Sequence, residues 1–283
     1  MTTKDHSYKV AGGPVGVLLI HGLCGTPSEM RFVANGLARA GYTVHCPTLA
    51  GHCGTEHDIA NATWQEWYAS AEAALLEMRK TCSTVIVGGL STGAVLSLLL
   101  AARHPDKVQG LTLLAPTLKL NGWSMPWYTP LLNLARTKWF ANKFLKFQDT
   151  DPHGIKDERI RKFFRDALFS GDTSGTGFVH TPGGAVLEHR WLVQELRKVM
   201  GTIEQPTLIL HPREDDIADM SNAWELQRKL KGMVEMVVLH DSYHNVTIDR
   251  QRHVVVERTA GFVERLVAQL AKSPKAPVQL RAA

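Results

Sequence analysis

The sequence predicts an α/β protein with a mostly parallel sheet covered by helices on both faces. Strand-like apolar runs such as Val15–Ile20 and 84–89 alternate along the chain with stretches of helical periodicity such as Trp64–Met78. Nearly continuous apolar strands are typical of parallel sheets that are buried on both faces. A chain of 283 residues with 44% hydrophobic residues is long enough to form such a core as one large domain.

The first half of the chain supports this alternation element by element. The apolar run 15–20 predicts a buried strand, and turn-forming residues at 22–28 lead into a helix that reaches about residue 40. A second strand is expected at 42–46. Thr63 and Glu66 have the spacing of a capping box, which predicts the start of a helix ending near Lys80. A β-branched strand at 84–89, a helix at 94–103 and a strand at 108–115 follow.

A long interval then interrupts the alternation. From Thr117 to Pro206 there are 90 residues, whereas a parallel crossover needs little more than a dozen. A helix near 185–199 is expected to be the crossover. Strands at 207–210 and 234–239, a helix at 222–231 and a last helix ending near 270 complete the pattern. We therefore expect a core of residues 1–116 and 186–270, an inserted cap at 117–185, and a disordered basic tail at 271–283.

Charge and composition exclude several classes of protein. The net charge is +5, but Lys272, Lys275 and Arg281 contribute three of these charges in the tail, so a nucleic-acid partner is not expected. The polar residues 1–13 and the short apolar run after them fit neither a signal peptide nor a membrane span, which predicts a cytoplasmic protein. Four free thiols are therefore expected, at Cys24, Cys46, Cys53 and Cys82.

The main chemical motif is Gly-Leu-Ser-Thr-Gly at residues 89–93, between a predicted strand and a predicted helix. Such a sharp turn holds its central residue in a strained conformation, and small residues two places before and after it let the chains pass. Ser91 is thus a candidate nucleophile in a nucleophile elbow. The same string also fits a glycine-rich helix start with a capping serine.

A serine nucleophile needs a histidine base and an acid that orients it. Reacting groups gather at the carboxyl ends of parallel strands, so the residues after each later strand are the candidates. Asp215 and Asp216 follow the strand at 207–210, and His244 follows the strand at 234–239. Placement makes three other histidines weaker candidates for the base: His211, His240 and His253. Asp219 and Asp249 are expected to cap helices.

These motifs resemble those of the α/β-hydrolase family, above all its serine carboxylesterases and monoacylglycerol-lipase-like members. The resemblance covers residues 15–270 and leaves the insertion poorly matched. It favours Asp215, followed two places on by Ile217, as the triad acid, with Asp216 as the open alternative, and it implies that Ser242-Tyr243-His244 presents the base. His21-Gly22-Leu23 resembles the family's oxyanion segment, which makes the Leu23 amide one donor. The Thr92 amide, at a helix N-terminus, is the other.

Two further clusters contain possible ligand residues but lack the spacing of a ligand site. Cys46, His52, Cys53 and His57 are possible zinc ligands, but they lack a short Cys-x-x-Cys spacing, and 49–52 resembles a loop in which the family's histidine is structural. The glycine-rich residues 170–177 lack the Gly-Lys-Ser/Thr ending of a phosphate loop. No metal and no cofactor is therefore expected.

The start of the insertion is rich in aromatic and basic residues. Seven of the chain's 21 aromatic residues lie between 117 and 147. In the family such an insertion covers the active site, so we expect an acyl or aryl pocket lined by five of them: Trp123, Trp127, Tyr128, Phe140 and Phe144. The alternative is that these residues form only the insertion's own core. The basic residues predict a solvated face, with a lipid surface as the less favoured alternative.

Together these observations predict a carboxylesterase-type serine hydrolase (EC 3.1.1.-) acting on short- or medium-chain esters or monoacylglycerol. A thioesterase, an acyltransferase and an amidase would use the same triad and remain open alternatives. From another class, a non-catalytic binding protein would retain the fold, although such proteins usually lack a triad member. The expected partner is a small ester with an apolar acyl or aryl group, and the oligomeric state is not indicated.

Overall fold

A seven-stranded sheet dominates the computed structural model, which describes residues 5–126, 129, 136–144, 146–148, 151–169 and 180–272. Five parallel strands carry the catalytic candidates or pack beside them: β2 (Val15–Ile20), β4 (Thr84–Leu90), β5 (Gly110–Leu114), β8 (Thr207–Pro212) and β9 (Val234–Leu239). The edge strands at the other side are β1 (Tyr8–Val10) and β3 (Thr43–Cys46). The spatial order is β1-β3-β2-β4-β5-β8-β9, and only β1 runs antiparallel to its neighbour.

Helices cover both faces of the sheet because successive strand residues point to opposite sides. In β2, Leu18 and Ile20 pack into one apolar cluster, whereas Val17 and Leu19 pack into the other. Helices α1 (Arg31–Arg39) and α9 (Arg252–Lys272) cover the Val17 face. The Leu18 face is covered by four helices: α3 (Trp64–Met78), α4 (Thr92–Arg103), α7 (Gly183–Val199) and α8 (Ser221–Lys229).

The segment between β5 and α7 contains its own short elements. These are α5 (Lys138–Phe144), α6 (Glu158–Phe169) and an antiparallel ribbon of β6 (Lys146–Gln148) with β7 (His180–Pro182). It is anchored to α2 (Glu56–Asn61) and α7, since Lys138 Nζ donates to the carbonyls of Asn61 and Ala62 at 2.8 Å and pairs with Glu188 at 3.1 Å.

The observed bounds differ from the predicted ones at several ends. The strand β1 was not predicted, because three residues of a polar segment have too short a pattern to indicate a strand. Helix α7 begins at Gly183, directly after Pro182, two residues before the predicted start. Helix α9 reaches Lys272, so the first two residues of the predicted tail are helical, and residues 273–283 lie outside the described part.

The described residues contain no helix that is long and apolar enough to cross a membrane. All four cysteines are buried free thiols, as expected.

Candidate active site

The candidate residues meet at the carboxyl edge of the sheet, where parallel strands end together. Ser91 follows β4, Thr117 follows β5, Asp215 follows β8 and His244 follows β9. The segment that begins at His21 follows β2 at the same edge. The five strand ends therefore supply one constellation from positions that are far apart in the sequence.

Ser91 stands on a strained turn between β4 and α4. Its backbone has φ 56° and ψ −112°, in a region that non-glycine residues rarely adopt. A Cβ on Gly93 would lie 2.1 Å from the carbonyl oxygen of Ile20, and one on Gly89 would lie 2.4 Å from the same atom. The two glycines are thus required by the close approach of the β2 end to the turn.

The hydroxyl of Ser91 is oriented by Thr117. The two side-chain oxygens are 3.1 Å apart, and the Thr117 hydroxyl also lies 3.2 Å from the carbonyl oxygen of Ala115, to which it donates. Because that proton is used, Thr117 Oγ1 accepts from Ser91. In this arrangement the serine proton is held beside the strand ends, and the hydroxyl must rotate to reach a base.

Asp215 and His244 form a buried pair. Both carboxylate oxygens of Asp215 lie 2.9 Å from His244 Nδ1. Oδ1 also accepts from the backbone amides of Ile217 at 2.9 Å and Ala218 at 2.8 Å, which fixes the plane of the carboxylate. The pair therefore holds the proton of the imidazole on Nδ1 and leaves Nε2 as a proton acceptor.

Asp216 has a different task from its neighbour. Its Oδ1 accepts the backbone amide of His244 at 3.2 Å, and its Oδ2 accepts the amide of Gly154 at 3.0 Å. Burial raises the pKa of Asp216 above its usual value. Asp216 thus joins the β8 end, the β9 end and the inserted segment, while only Asp215 reaches the imidazole ring.

The charge balance around His244 favours its protonated form. Burial by itself would lower the pKa of His244, but the carboxylates of Asp215, Asp216 and Glu29 outweigh that effect and raise it. A raised pKa is suitable for a group that must take up a proton during a reaction and return it.

Two neutral histidines shape the backbone around Leu23. His21 Nε2 accepts the amide of Leu49 at 3.2 Å, and His52 Nε2 accepts the amide of Cys24 at 3.3 Å. Burial lowers the pKa of His21 to about 4 and that of His52 well below its usual value. Leu23 lies between Gly22, whose amide donates to Glu29, and Cys24, so both neighbouring peptides are held in place.

Thr92 is tied to the crossover helix. Its amide is the first of α4, where amide groups have no intrahelical acceptor. Its hydroxyl lies 2.9 Å from Nδ1 of His189 in α7, a buried ring whose pKa is lowered to about 4 by burial. His189 therefore positions the residue next to Ser91 without itself carrying a charge.

A cavity of about 400 Å³ lies between the chain after β5 and helix α7. Its apolar lining comes from the chain after β5 and from α7: Leu118, Leu120, Val186, Leu187 and Val193. His189, whose Nδ1 contacts the Thr92 hydroxyl, also lines it, and the rest of the lining is polar or basic, including Lys119, Arg190 and Arg197. This volume is within the usual range for small-molecule sites, roughly 300–1,000 Å³.

Of the five predicted aromatic pocket residues, two do not line this cavity, and three lie outside the described residues or have undescribed side chains. Trp123 and Phe140 do not line this cavity, and their exposed fractions are 59% and 44%. Trp123 instead lies over the catalytic loops, where its indole NH donates to the Glu214 carbonyl at 3.1 Å and its ring packs edge-on against Tyr243. Trp127, Tyr128 and the side chain of Phe144 are outside the described residues.

The other candidates have structural contacts. His211 Nε2 donates to the carbonyl of Ala218 at 2.7 Å, and His240 and His253 are exposed. Both ring nitrogens of His52 contact backbone groups, and the described residues contain no group of three or more His, Cys, Asp or Glu side chains that could hold a metal ion. The metal ligands considered at Cys46, Cys53 and His57 are therefore not brought together there.

Asp249 does not have the role that the sequence predicts. It was expected to cap the last helix, but its carboxylate accepts three backbone amides, from Lys156 at 3.0 Å, Asp157 at 2.9 Å and Tyr243 at 2.8 Å. It joins the inserted segment to the His244 loop. Asp219 accepts the amide of Ser221, the first residue of α8, at 2.9 Å, but the N-cap residue is Met220, which makes no side-chain cap hydrogen bond, so the cap was predicted one residue too early.

Sequence reasoning missed three residues of the site: Glu29, Thr117 and His189. Thr117 could have been found, because it follows a strand at the carboxyl edge. Glu29 and His189 carry no sequence signal, since each acts through a contact that only folding creates.

The chain is similar to one family of hydrolases and to individual lipolytic enzymes and esterases. The family described as serine aminopeptidase, S33, matches residues 15–251, which include Ser91, Asp215 and His244. A thermostable monoacylglycerol lipase of Bacillus sp. strain H-257 is 29% identical over 256 residues, 90% of this chain and 92% of that lipase. A carboxylesterase of Bacillus subtilis is 22% identical over 268 residues, 94% of this chain and 98% of that enzyme. The solved structure of a metagenome-derived lipolytic enzyme has a TM-score of 0.77 and 25% identity, over 92% of this chain and 97% of that one.

Proposed function

Because the chain belongs to the serine aminopeptidase S33 family of α/β hydrolases and is a serine hydrolase of carboxylic esters, we propose that Ser91, His244 and Asp215 carry out its reaction. The observation that supports this most is the Asp215–His244 pair, with both carboxylate oxygens 2.9 Å from Nδ1, at the same sheet edge as the strained Ser91 turn. This arrangement is what a serine nucleophile needs in order to lose its proton.

In the proposed mechanism the Ser91 hydroxyl rotates away from Thr117 and donates its proton to Nε2 of His244. Its oxygen attacks the ester carbonyl, and the amides of Leu23 and Thr92 stabilise the oxyanion. His244 then gives its proton to the leaving alcohol, which produces an acyl-enzyme on Ser91. A water molecule, deprotonated by the same imidazole, attacks the acyl carbonyl, and the collapse of that intermediate returns the proton to Ser91 and releases the acid.

For the substrate we propose an ester with a short- or medium-chain acyl group, or a monoacylglycerol. The aliphatic part of the cavity lining, at Leu118, Leu120 and Val186, suits an alkyl chain, and His189, which also lines the cavity, contacts Thr92. A monoacylglycerol lipase and a carboxylesterase among the relatives support this class. An aryl group held by the aromatic residues of the insertion remains the alternative.

The residues 117–185 are proposed to act as a cap over this cavity. Supporting contacts are those of Gly154 with Asp216 and of Lys156 with Asp249, which attach the segment next to the catalytic loops. A cytoplasmic location stays a prediction from the sequence, with which the four free thiols accord.

The test is a substrate panel with wild type and Ser91→Ala. We expect p-nitrophenyl esters and monoacylglycerols to be cleaved with a maximum at short or medium chain length, faster than acyl-CoA thioesters and aminoacyl p-nitroanilides. The maximum reports the depth of the pocket. A faster thioester or anilide reaction would assign the same triad to a thioesterase or an amidase. A wild-type protein that is not labelled by a fluorophosphonate would indicate a non-catalytic binding protein.

A further inference from the structure

Glu29 lies unexpectedly close to the proposed oxyanion site. It belongs to a short 3₁₀ helix, Pro27–Met30, and its carboxyl folds back to accept the backbone amide of Gly22 through Oε1. A Cβ placed on Gly22 would be 3.4 Å from that oxygen and 3.7 Å from Cβ of Ser91. The carboxyl and the nucleophile thus lie against the same α-carbon, that of Gly22.

The position of the Glu29 carboxyl explains why residue 25 is a glycine. A Cβ on Gly25 would be 2.4 Å from Oε2 of Glu29, so the carboxyl occupies the space that a side chain at residue 25 would need. The Gly22 amide and the Leu23 amide belong to successive peptide groups. They are joined at the Gly22 α-carbon. The carbonyl of the second peptide, Gly22 O, accepts from His21 Nδ1 at 2.9 Å and from the Gly25 amide at 3.2 Å, and the Glu29 hydrogen bond holds the first, so the contacts together fix the direction of the Leu23 amide.

We propose that Glu29 is a positioning residue, which holds the Gly22–Leu23 backbone so that the Leu23 amide points to the developing oxyanion. The proposal rests on the proposed function, since it assigns a role in the same acyl transfer. Glu29 does not contact the reacting atoms. It acts through the Gly22 amide, and its charge acts on His244.

The charge of Glu29 has its own measurable consequence. Burial raises the pKa of Glu29 to about 7, whereas the Gly22 amide and the charge of His244 oppose that rise. This carboxylate adds to the effect of Asp215 and Asp216 in raising the pKa of His244. Burial, with a smaller contribution from Glu29, raises the pKa of Cys53 to about 12, so that thiol stays neutral in any ordinary assay and His244 is the group that reports the charge.

Two variants separate the hydrogen bond from the charge. Glu29→Gln retains an acceptor oxygen for the Gly22 amide but has no charge, so we expect kcat within about threefold of wild type and an acid limb of kcat/KM that moves to lower pH. Glu29→Ala loses both, and we expect kcat to fall by about 10–100-fold with little change in KM, because an oxyanion contact exists only in the transition state.

A transition-state analogue makes the test specific. An alkyl trifluoromethyl ketone adds to a catalytic serine and places an oxyanion in the hole. Its inhibition constant should rise in Glu29→Ala by the same factor by which kcat/KM falls, and should be close to wild type in Glu29→Gln. The matched control is Thr26→Ala, which removes the residue that caps the same 3₁₀ helix but does not contact Gly22. We expect it to lower Tm and to leave kcat and the inhibition constant unchanged.

The outcomes distinguish this proposal from the proposed function. If Ser91→Ala abolishes turnover but Glu29→Ala keeps wild-type kcat and inhibition, only the role of Glu29 is wrong. If Thr26→Ala lowers kcat as much as Glu29→Ala does, the effect is general loosening of the turn and the proposal is likewise wrong. If Ser91→Ala retains turnover, the proposed nucleophile itself is refuted.

Discussion

Replacing Asp215 by Asn tests how the acid sets the proton position on His244. Asp215 Oδ1 accepts the amides of Ile217 and Ala218 at 2.9 and 2.8 Å, so the carbonyl oxygen of an asparagine will occupy that position. Its NH₂ group then takes the place of Oδ2, 2.9 Å from His244 Nδ1. An NH₂ group donates and is repelled by a proton on Nδ1, while the carbonyl oxygen is already engaged by two amides, so we expect the imidazole proton to move to Nε2. That tautomer cannot take a proton from Ser91.

The expected loss in kcat is about 10⁴-fold, the size seen when a triad acid is changed to its amide and the geometry is kept. The matched control is Asp216→Asn, which removes the same charge one residue away. It can still accept one of two amides, from His244 or Gly154, and we expect a loss in unfolding free energy of about 1–3 kcal/mol with kcat within about tenfold of wild type.

The assay is the steady-state hydrolysis of a p-nitrophenyl ester, with Tm measured for both variants. The acid limb of kcat/KM should also move to lower pH in any residual Asp215→Asn activity, since a carboxylate that raises the pKa of His244 has been removed. A large loss of kcat in Asp216→Asn together with a nearly normal kcat in Asp215→Asn would refute the assignment of Asp215 as the acid.

Three other perturbations have distinct expected results. Ser91→Ala should lower kcat by about 10⁶-fold and abolish fluorophosphonate labelling, and near-normal turnover would exclude it as nucleophile. For wild type, kcat/KM should fall about tenfold per pH unit below the pKa of His244, which lies above its usual value, because only the neutral imidazole accepts a proton; a flat profile from pH 5 to 9 would contradict this role. Gly93→Ala places a Cβ 2.1 Å from the Ile20 carbonyl and should destabilise the fold by about 3 kcal/mol or more, whereas Gly201→Ala, with nothing within 4 Å, should leave Tm nearly unchanged.

Local patterns predicted most of the sheet. The bounds of β2 and β9 were predicted correctly, because each is a mainly apolar run next to turn-forming residues, although β9 contains one charged residue, Glu235. The strand β1 was missed, since its place in the sheet comes from pairing with β3 and not from its own three residues. The cap role of Asp249 was wrong for a similar reason, because its acceptor groups were satisfied by distant amides of the inserted segment.

The sequence by itself determined the fold class, the Gly-x-Ser-x-Gly turn and the order in which Ser91, Asp215 and His244 occur. These features depend on hydrophobic periodicity and on the steric requirements of a single turn. Both are properties of residues that are close together in the sequence. Tertiary structure alone decided which of two adjacent aspartates reaches the imidazole, that Thr117 holds the Ser91 hydroxyl, and that Glu29 reaches the Gly22 amide. Asp215 and Asp216 have the same chemistry and differ only in the direction of their side chains. That direction is set by packing between strand ends that are far apart in the chain.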